Sequence, residues 1–283
     1  MGKEKEKTSL SFSIFEVIMF TKFQLTKKYF HYFLTASNGK GHGIHSPFVF
    51  DFVKNVLNDK QSYPPYQSIE KIRKKLLADS TLIEVEDFGA GSSVIKTNKR
   101  VVSAIAASSL KPKKYAQLLY RIVKYYKPDT IVELGTSFGI TTAYLASANP
   151  ISKVYTCEGS GGIASIAKQN FELLHLHNIA LATGDFKDSF SPLLSKIPTV
   201  DFGFVDGNHR KVPTVDYFIQ LLKHTIPASI LVFDDIHWSA EMEEAWETIK
   251  RHPQVTLTID LFFIGLVFFN TDFNHKQDFI IRF

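Results

Sequence analysis

The sequence predicts an α/β fold: a doubly wound, mostly parallel sheet behind an N-terminal helical extension. Three observations carry that prediction. After residue 128, apolar runs of four or five residues alternate with helix-length amphipathic segments, the pattern of strands buried on both faces and joined by crossover helices. A passage that reads as strand, glycine turn and helix start runs from Thr130 to Ala146. The strands end on acidic residues, namely Glu133, Glu158, Asp185, Asp206 and the pair Asp234-Asp235. Carboxylates are costly inside a sheet and useful at its rim, because open α/β sheets bind ligands beyond the C-terminal ends of their strands.

Composition sets the bounds. At 283 residues, 45% hydrophobic and 22% charged, the chain reads as a globular protein able to bury a substantial core in one or two domains. Its single cysteine, Cys157, excludes an intramolecular disulfide and reads as a small buried residue in a reducing compartment. The opening Met-Gly-Lys-Glu-Lys-Glu-Lys and the apolar run Leu10–Phe20 faintly resemble a signal peptide, but Glu16 interrupts the run and no small-residue cleavage site follows. Residues 1–21 are expected to be a disordered or loosely attached extension, with Met19 an alternative start. No membrane span is expected, because no window approaches about 20 apolar residues. The cytoplasm is the expected location. Residues 1–130 carry 22 Lys/Arg against 11 Asp/Glu, while residues 131–283 carry 11 against 17. A basic half could attract an anionic substrate, nucleic acid or a membrane surface. No RNA-binding signature or zinc spacing accompanies it, so a small-molecule substrate is expected rather than nucleic acid. The oligomeric state is open, a homodimer among the options.

Taken in order, Phe23–Ala36, Pro47–Leu57 and Tyr66–Ala78 space their apolar residues helically. Leu82–Val85 is strand-like. Pro112 opens a strong amphipathic helix with Tyr115, Leu118, Leu119, Ile122, Val123 and Tyr126 on one face. Strands are predicted at Thr130–Leu134, Lys153–Cys157, Ala180–Thr183, Phe202–Val205 and Ile230–Phe233, with helices over 139–148, 161–175, 187–196, 211–225 and 239–251. Val255–Leu261 and Phe262–Phe269 then follow with no helix between them, which predicts a hairpin at the sheet edge; Phe279–Phe283 is a candidate for one further strand. The expected organisation is an extension over 1–21, a mainly helical cap region over 22–110 and a ligand-binding domain over 111–283.

The glycine turn decides between ligand classes. A dinucleotide fingerprint is G-x-G-x-x-G, whereas Glu133-Leu-Gly135-Thr136-Ser137-Phe-Gly139 reads E-x-G-x-x-x-G. This looser turn resembles motif I of class I S-adenosylmethionine (SAM) methyltransferases, and five βα units with a terminal hairpin resemble their Rossmann-like seven-stranded sheet, whose seventh strand runs antiparallel. The resemblance makes Glu133, Gly135, Thr136, Ser137 and Gly139 cofactor-binding candidates. Glu158, 23 residues after Gly135, stands where a carboxylate accepts from both ribose hydroxyls. Asp185 stands where this group places an acidic contact to the adenine amino group, although it also fits a helix cap. Val205-Asp206-Gly-Asn-His209 and Phe233-Asp234-Asp235 resemble the D-G-x-H and D-D motifs of bacterial sugar and macrolide O-methyltransferases and, more distantly, of the catechol type. The resemblance implies Asp206, Asp234 and Asp235 as ligands for Mg²⁺, Asp206 also as a catalytic residue and a shared cofactor contact, and His209 as the catalytic base. Asp235 departs from the catechol pattern, which has Asn there, and so leaves metal use open.

Two passages in the extension stand apart. Gly39–Phe50, with His42 and His45 among glycines, is expected to fold over the active site as a lid. Asp87-Phe-Gly-Ala-Gly-Ser92 imitates motif I but lacks a helix after it, and is expected to be a loop contributing to the pocket. The sequence thus points to a SAM-dependent methyltransferase acting on a small-molecule hydroxyl. A nicotinamide-dependent oxidoreductase, a catalytically inactive SAM-binding module and an RNA methyltransferase are the alternatives. No Asn-Pro-Pro-Tyr-type motif for nitrogen methylation is present.

Overall fold

The N-terminal region builds its helices from local signals. The computed structural model describes residues 19–41, 43–87, 96–273 and 275–283. Helix α1 (Lys22–Thr35) starts from a capping box in which Thr21 and Gln24 satisfy each other's backbone N–H groups. Prolines at the first positions pre-set φ for α2 (Pro47–Phe52), which continues as a π-helical turn over Val53–Leu57, and for α3 (Pro64–Leu77). Strands β1 (Leu82–Asp87) and β2 (Lys96–Val101) pair antiparallel, and α4 (Val102–Ser109) leads to α5 (Lys113–Tyr126). The motif-like passage 87–92 lies, beyond the backbone of Asp87, outside the described residues.

The alternation expected after residue 128 is present. It runs β3 (Thr130–Leu134), α6 (Ile140–Ala148), β4 (Lys153–Glu158), α7 (Gly161–Leu173), β5 (Ile179–Thr183), α8 (Phe186–Leu194), β6 (Phe202–Val205), α9 (Lys211–Leu222), β7 (Ile230–Asp234), α10 (Ala240–Arg251) and β8 (Leu257–Asp260). Two strands finish the chain, β9 (Ile264–Phe268) and β10 (Gln277–Ile280). The sheet order is β10-β8-β9-β7-β6-β3-β4-β5, and β9 alone runs antiparallel to the rest. The hairpin therefore does not form the edge: β9 inserts between β7 and β8, and β10 adds an eighth strand outside them.

Side chains alternate along the strands between two cores. Ile131, Phe204 and Val232 pack under α5 and the α2–π-turn segment, whereas Val132, Leu231 and Val267 pack under α8, α9 and α10. The first core takes in Val49, Phe52, Val53 and Val56 from the N-terminal region, so those helices cover one sheet face. The β1–β2 hairpin reaches the start of α7, where Glu86 accepts hydrogen bonds from Ser160 Oγ (2.7 Å) and the Gly161 N–H (2.9 Å). The Ser160 hydrogen bond, partly opposed by burial, holds the Glu86 carboxyl below its usual range. Among the described residues, no helix is long and apolar enough to cross a membrane.

The chain winds outward from β3 through β4 to β5 and then returns to β6 on the other side of β3. Strand order reverses there, which opens a crevice beyond the ends of β3 and β6, the place where such sheets take ligands. The two strand ends approach so closely that a Cβ on Gly135 would stand 2.0 Å from the Asp206 carbonyl oxygen, and Gly135 has φ +96. Only glycine fits.

Candidate active site

A cavity of about 600 Å³ occupies that crevice, within the range of small-ligand sites. Gly135, Ser137 and Glu158 line one end; Lys111, Asp206, His209, Asp234 and Asp235 line the other.

At the first end, Glu158 closes β4 as a half-buried carboxylate. Its two oxygens accept backbone N–H bonds from Ser137 (2.8 Å) and Ser160 (3.0 Å), the second at the start of α7. Burial pushes its carboxyl upward and these N–H groups oppose the shift. Ser137 adopts φ +48, a left-handed conformation uncommon for serine, and its hydroxyl pairs with Ser109 Oγ at 2.8 Å. The turn is thereby fixed with the Ser137 N–H aimed at a carboxylate beside the cavity.

Three other residues of the turn stand behind the cavity wall. Glu133 shares its strand face with Ile131 and is fully buried; Thr142 and Thr156 donate to its Oε2, at 2.5 and 2.7 Å. Its Oε1 has no partner, and burial pushes its pKa up to about 8. Thr136 is also buried, with its hydroxyl 2.6 Å from that of Thr156. Gly139 precedes α6 at φ +79 against α7, where a Cβ would meet the Phe171 ring at 2.4 Å. Asp185 caps α8 by accepting from the Lys187 N–H (3.1 Å), while its neighbour Phe186 lines the cavity.

The second end is a charge cluster. Asp234 is 1% exposed and forms an ion pair with Lys111, whose Nζ also lies 3.6 Å from Asp206 Oδ2. His209 Nε2 is 3.7 Å from Asp206 Oδ1, and its Nδ1 is 3.9 Å from Asp235 Oδ2. Asp206, His209 and Asp234 can each offer one atom within 4.8 Å of the others. Asp235 is outside that set; burial raises its carboxyl, opposed by Lys111 and His209. Asn208, His209 and Asp235 all have positive φ, at 69, 24 and 52. Such conformations cost on the order of 1–3 kcal/mol each and concentrate at functional sites. The loops after β6 and β7 hold these side chains at the rim against that cost.

Lys111, Ser109, Phe186 and Phe263 line the cavity and were not among the residues singled out from the sequence. Tyr115 and Trp238 line it as well. The lid expectation is corrected. The described residues of the 39–50 passage do not line this cavity; His45, Ser46 and Phe48 border a different hollow with Asn270, Phe273 and Phe279 near β10. The reason is packing, because Phe48 sets its ring edge against Phe268 and Phe273, with centroids at 5.1 and 5.4 Å. His42 lies outside the described residues.

Residues 132–236, from β3 to just past β7, match a family described as a methyltransferase domain. Over that stretch the chain is similar to a methyltransferase domain. The matched stretch contains every acidic strand end named above. Solved structures agree in fold. An O-methyltransferase from Bacillus cereus, in complex with S-adenosylhomocysteine (SAH), aligns with TM-score 0.52 and 21% identity over 78% of this chain and 97% of that one. An SAH-bound methyltransferase from Podospora anserina aligns with TM-score 0.56 and 11% identity over 80% and 97%. An O-methyltransferase from Streptomyces achromogenes, involved in tomaymycin synthesis and in complex with SAM, aligns with TM-score 0.50 and 21% identity over 57% and 82%. A tRNA (guanine-N(7)-)-methyltransferase from Mycoplasma mobile is 33% identical over 103 residues, 34% of this chain. The match spans 51% of that relative, about half its length.

Proposed function

We propose that the domain is a SAM-dependent O-methyltransferase acting on a hydroxyl of a small molecule. One observation carries the reading: a single cavity joins a strand-end carboxylate set in backbone N–H groups, Glu158, to a cluster of proton-handling side chains, Asp206 and His209. When bound, SAM supplies an electrophilic methyl group on a sulfonium. Glu158 retains lone pairs beyond the two N–H bonds it accepts and can take both ribose hydroxyls. Asp185 and Phe186 are the adenine-side candidates. Glu133, Thr136 and Gly139 act from behind by holding the turn in shape, which leaves Gly135 and Ser137 to face the cofactor.

Methyl transfer needs the acceptor oxygen in line with the methyl carbon and relieved of its proton. Asp206 orients the acceptor hydroxyl, and His209, half-exposed beside it, receives the proton. Tyr115, Trp238 and Phe263 supply apolar and aromatic wall for the acceptor, and α4 and the segment after it complete that wall with Ile105, Ser108, Ser109 and Leu110. Of the region 22–110, α4 and Leu110 after it serve as the cap of a SAM-binding domain over 111–283. Mg²⁺ was the assistance expected at Asp206, Asp234 and Asp235. The donor set fits that ion poorly, because the Lys111 ammonium already lies between Asp206 and Asp234.

A second reading, methylation of RNA, is favoured by the partial match to a tRNA methyltransferase and by the basic N-terminal half. Incubation with methyl-labelled SAM separates the two. Label is expected in small phenols or sugar hydroxyls from an acceptor panel and not in bulk tRNA. Label in tRNA, with strongly salt-dependent binding, would replace the first reading by the second.

A further inference from the structure

We propose that the Lys111 side chain supplies the positive charge that a divalent cation would otherwise bring to Asp206 and Asp234, and that the acceptor oxygen is held by this lysine rather than in a metal chelate. The proposal deepens the O-methyltransferase reading and rests on it.

The local sequence is Leu110-Lys111-Pro112-Lys113-Lys114. Lys113 and Lys114 are exposed on the first turn of α5, whereas the Lys111 side chain is 10% exposed and turned into the cavity. Pro112 restricts the residue before it to extended backbone, so Lys111 leaves α4 on a fixed course rather than on a loose loop. Its ammonium meets Asp234, the most buried carboxylate of the cluster, and approaches Asp206. These are two of the three donors that could hold a metal ion.

Both occupants cannot share that space. A divalent ion such as Mg²⁺ collects about six oxygens at 2.0–2.1 Å, and an ammonium among them would repel it at short range. Lys111 takes one oxygen of Asp234, and the other, Oδ1, is buried with no partner. A single buried oxygen is all that the lysine leaves on Asp234. It is far short of a coordination shell.

The count of donors gives the substrate class. An ammonium has three N–H donors and no acceptor. One is bonded to Asp234, and with Asp206 Oδ2 only a charge neighbour at 3.6 Å, a donor is free for the acceptor oxygen. The lysine offers the acceptor oxygen a point charge and no coordination shell, so a second, vicinal oxygen is not required of the substrate. In the transfer itself the acceptor oxygen forms its bond to the methyl carbon as the carbon–sulfur bond breaks, the electron pair stays on sulfur to give SAH, and the hydroxyl proton passes to His209. Lys111 stabilises the oxygen while negative charge develops there.

The test needs no acceptor. The full chain is loaded with SAH, and Mn²⁺ binding is followed by electron paramagnetic resonance, with SAH calorimetry alongside. The wild type is expected to bind no Mn²⁺ at millimolar concentration. Lys111→Met is expected to gain one bound Mn²⁺ per chain, and Lys111→Met with Asp234→Asn to lose it again. Lys111→Gln keeps a polar contact and serves if the methionine variant fails to fold. Wild-type Mn²⁺ binding that Asp234→Asn removes would overturn the proposal, and so would a folded Lys111 variant that binds no Mn²⁺. Failure of SAH to bind the wild type would instead count against the methyltransferase reading itself.

Discussion

The two ends of the cavity solve different physical problems. The Glu158 end is built from backbone: two N–H groups on one carboxylate, a glycine that allows two strands to touch, and a serine in left-handed conformation. The Asp206–Asp234 end is built from side chains of opposite charge: Lys111 and His209 against three carboxylates, the five residues coming from three segments of the chain. Backbone geometry gives a binding site whose shape survives the loss of one side chain. A buried charge cluster gives chemistry, and each member depends on the others.

The contrast breaks first at Lys111. Removing its ammonium leaves Asp234 buried and unpaired, and Lys111→Met is expected to lower stability by about 3–5 kcal/mol in denaturant titration. Adding Asp234→Asn should recover part of that loss. No recovery would mean that Lys111 packs against its surroundings rather than compensating charge.

Glu158→Ala is the matching test at the other end. It is expected to weaken SAH binding roughly 10- to 100-fold, the factor that loss of about 1.5–3 kcal/mol of charge-assisted hydrogen bonding gives. Thermal stability should hardly move, because the turn is also braced by Gly135 and by the Thr136–Thr156 contact.

Two titratable groups, one half-buried and one fully buried, sharpen the comparison through pH. His237, just past the Asp pair, sits between Glu243 (2.9 Å) and Asp260 (2.8 Å). Burial alone would lower its pKa, yet the hydrogen bonds to the two carboxylates prevail and raise it from 6.5 to about 9. A raised histidine stabilises the fold fully below its unfolded value and loses that contribution as pH rises through the folded one. His237→Gln is therefore expected to cost stability at pH 6 and nearly none at pH 10. Glu133 works the other way. Its carboxyl is raised by burial from 4.5 to about 8, so the unfolded chain ionises first and stability falls as pH climbs between those values, by at most about 1.4 kcal/mol per pH unit. Glu133→Gln should flatten that fall in melting experiments run from pH 5 to 8. An unchanged slope would mean that Glu133 is ionised in the folded protein at neutral pH.

The same division explains what could be read from the sequence. The Glu158 end lies in one contiguous strand–turn–helix stretch and the strand after it, so period, glycine spacing and acidic strand ends revealed it. Lys111 left no comparable signal, because it stands in a run of three lysines and only the docking of α5 on the sheet decides which one turns inward. Strand β2 was missed for a related reason. Lys99 and Arg100 face solvent opposite Glu84 and Ile83, so the hairpin has no alternating apolar face to detect. Helix α4 did carry a signal, since Val102, Ile105 and Ala106 repeat at helical spacing and are buried. The position of β9 inside the sheet depends on pairing between distant strands, which local pattern does not encode.

The central claim is that Glu158 and the turn beside it form a SAM site. Calorimetric titration of SAH into the wild type and Glu158→Ala tests it most directly. The account predicts micromolar binding to the wild type and a large loss in the variant with an unchanged melting temperature. No binding to a folded wild type, or equal binding to both proteins, would contradict it.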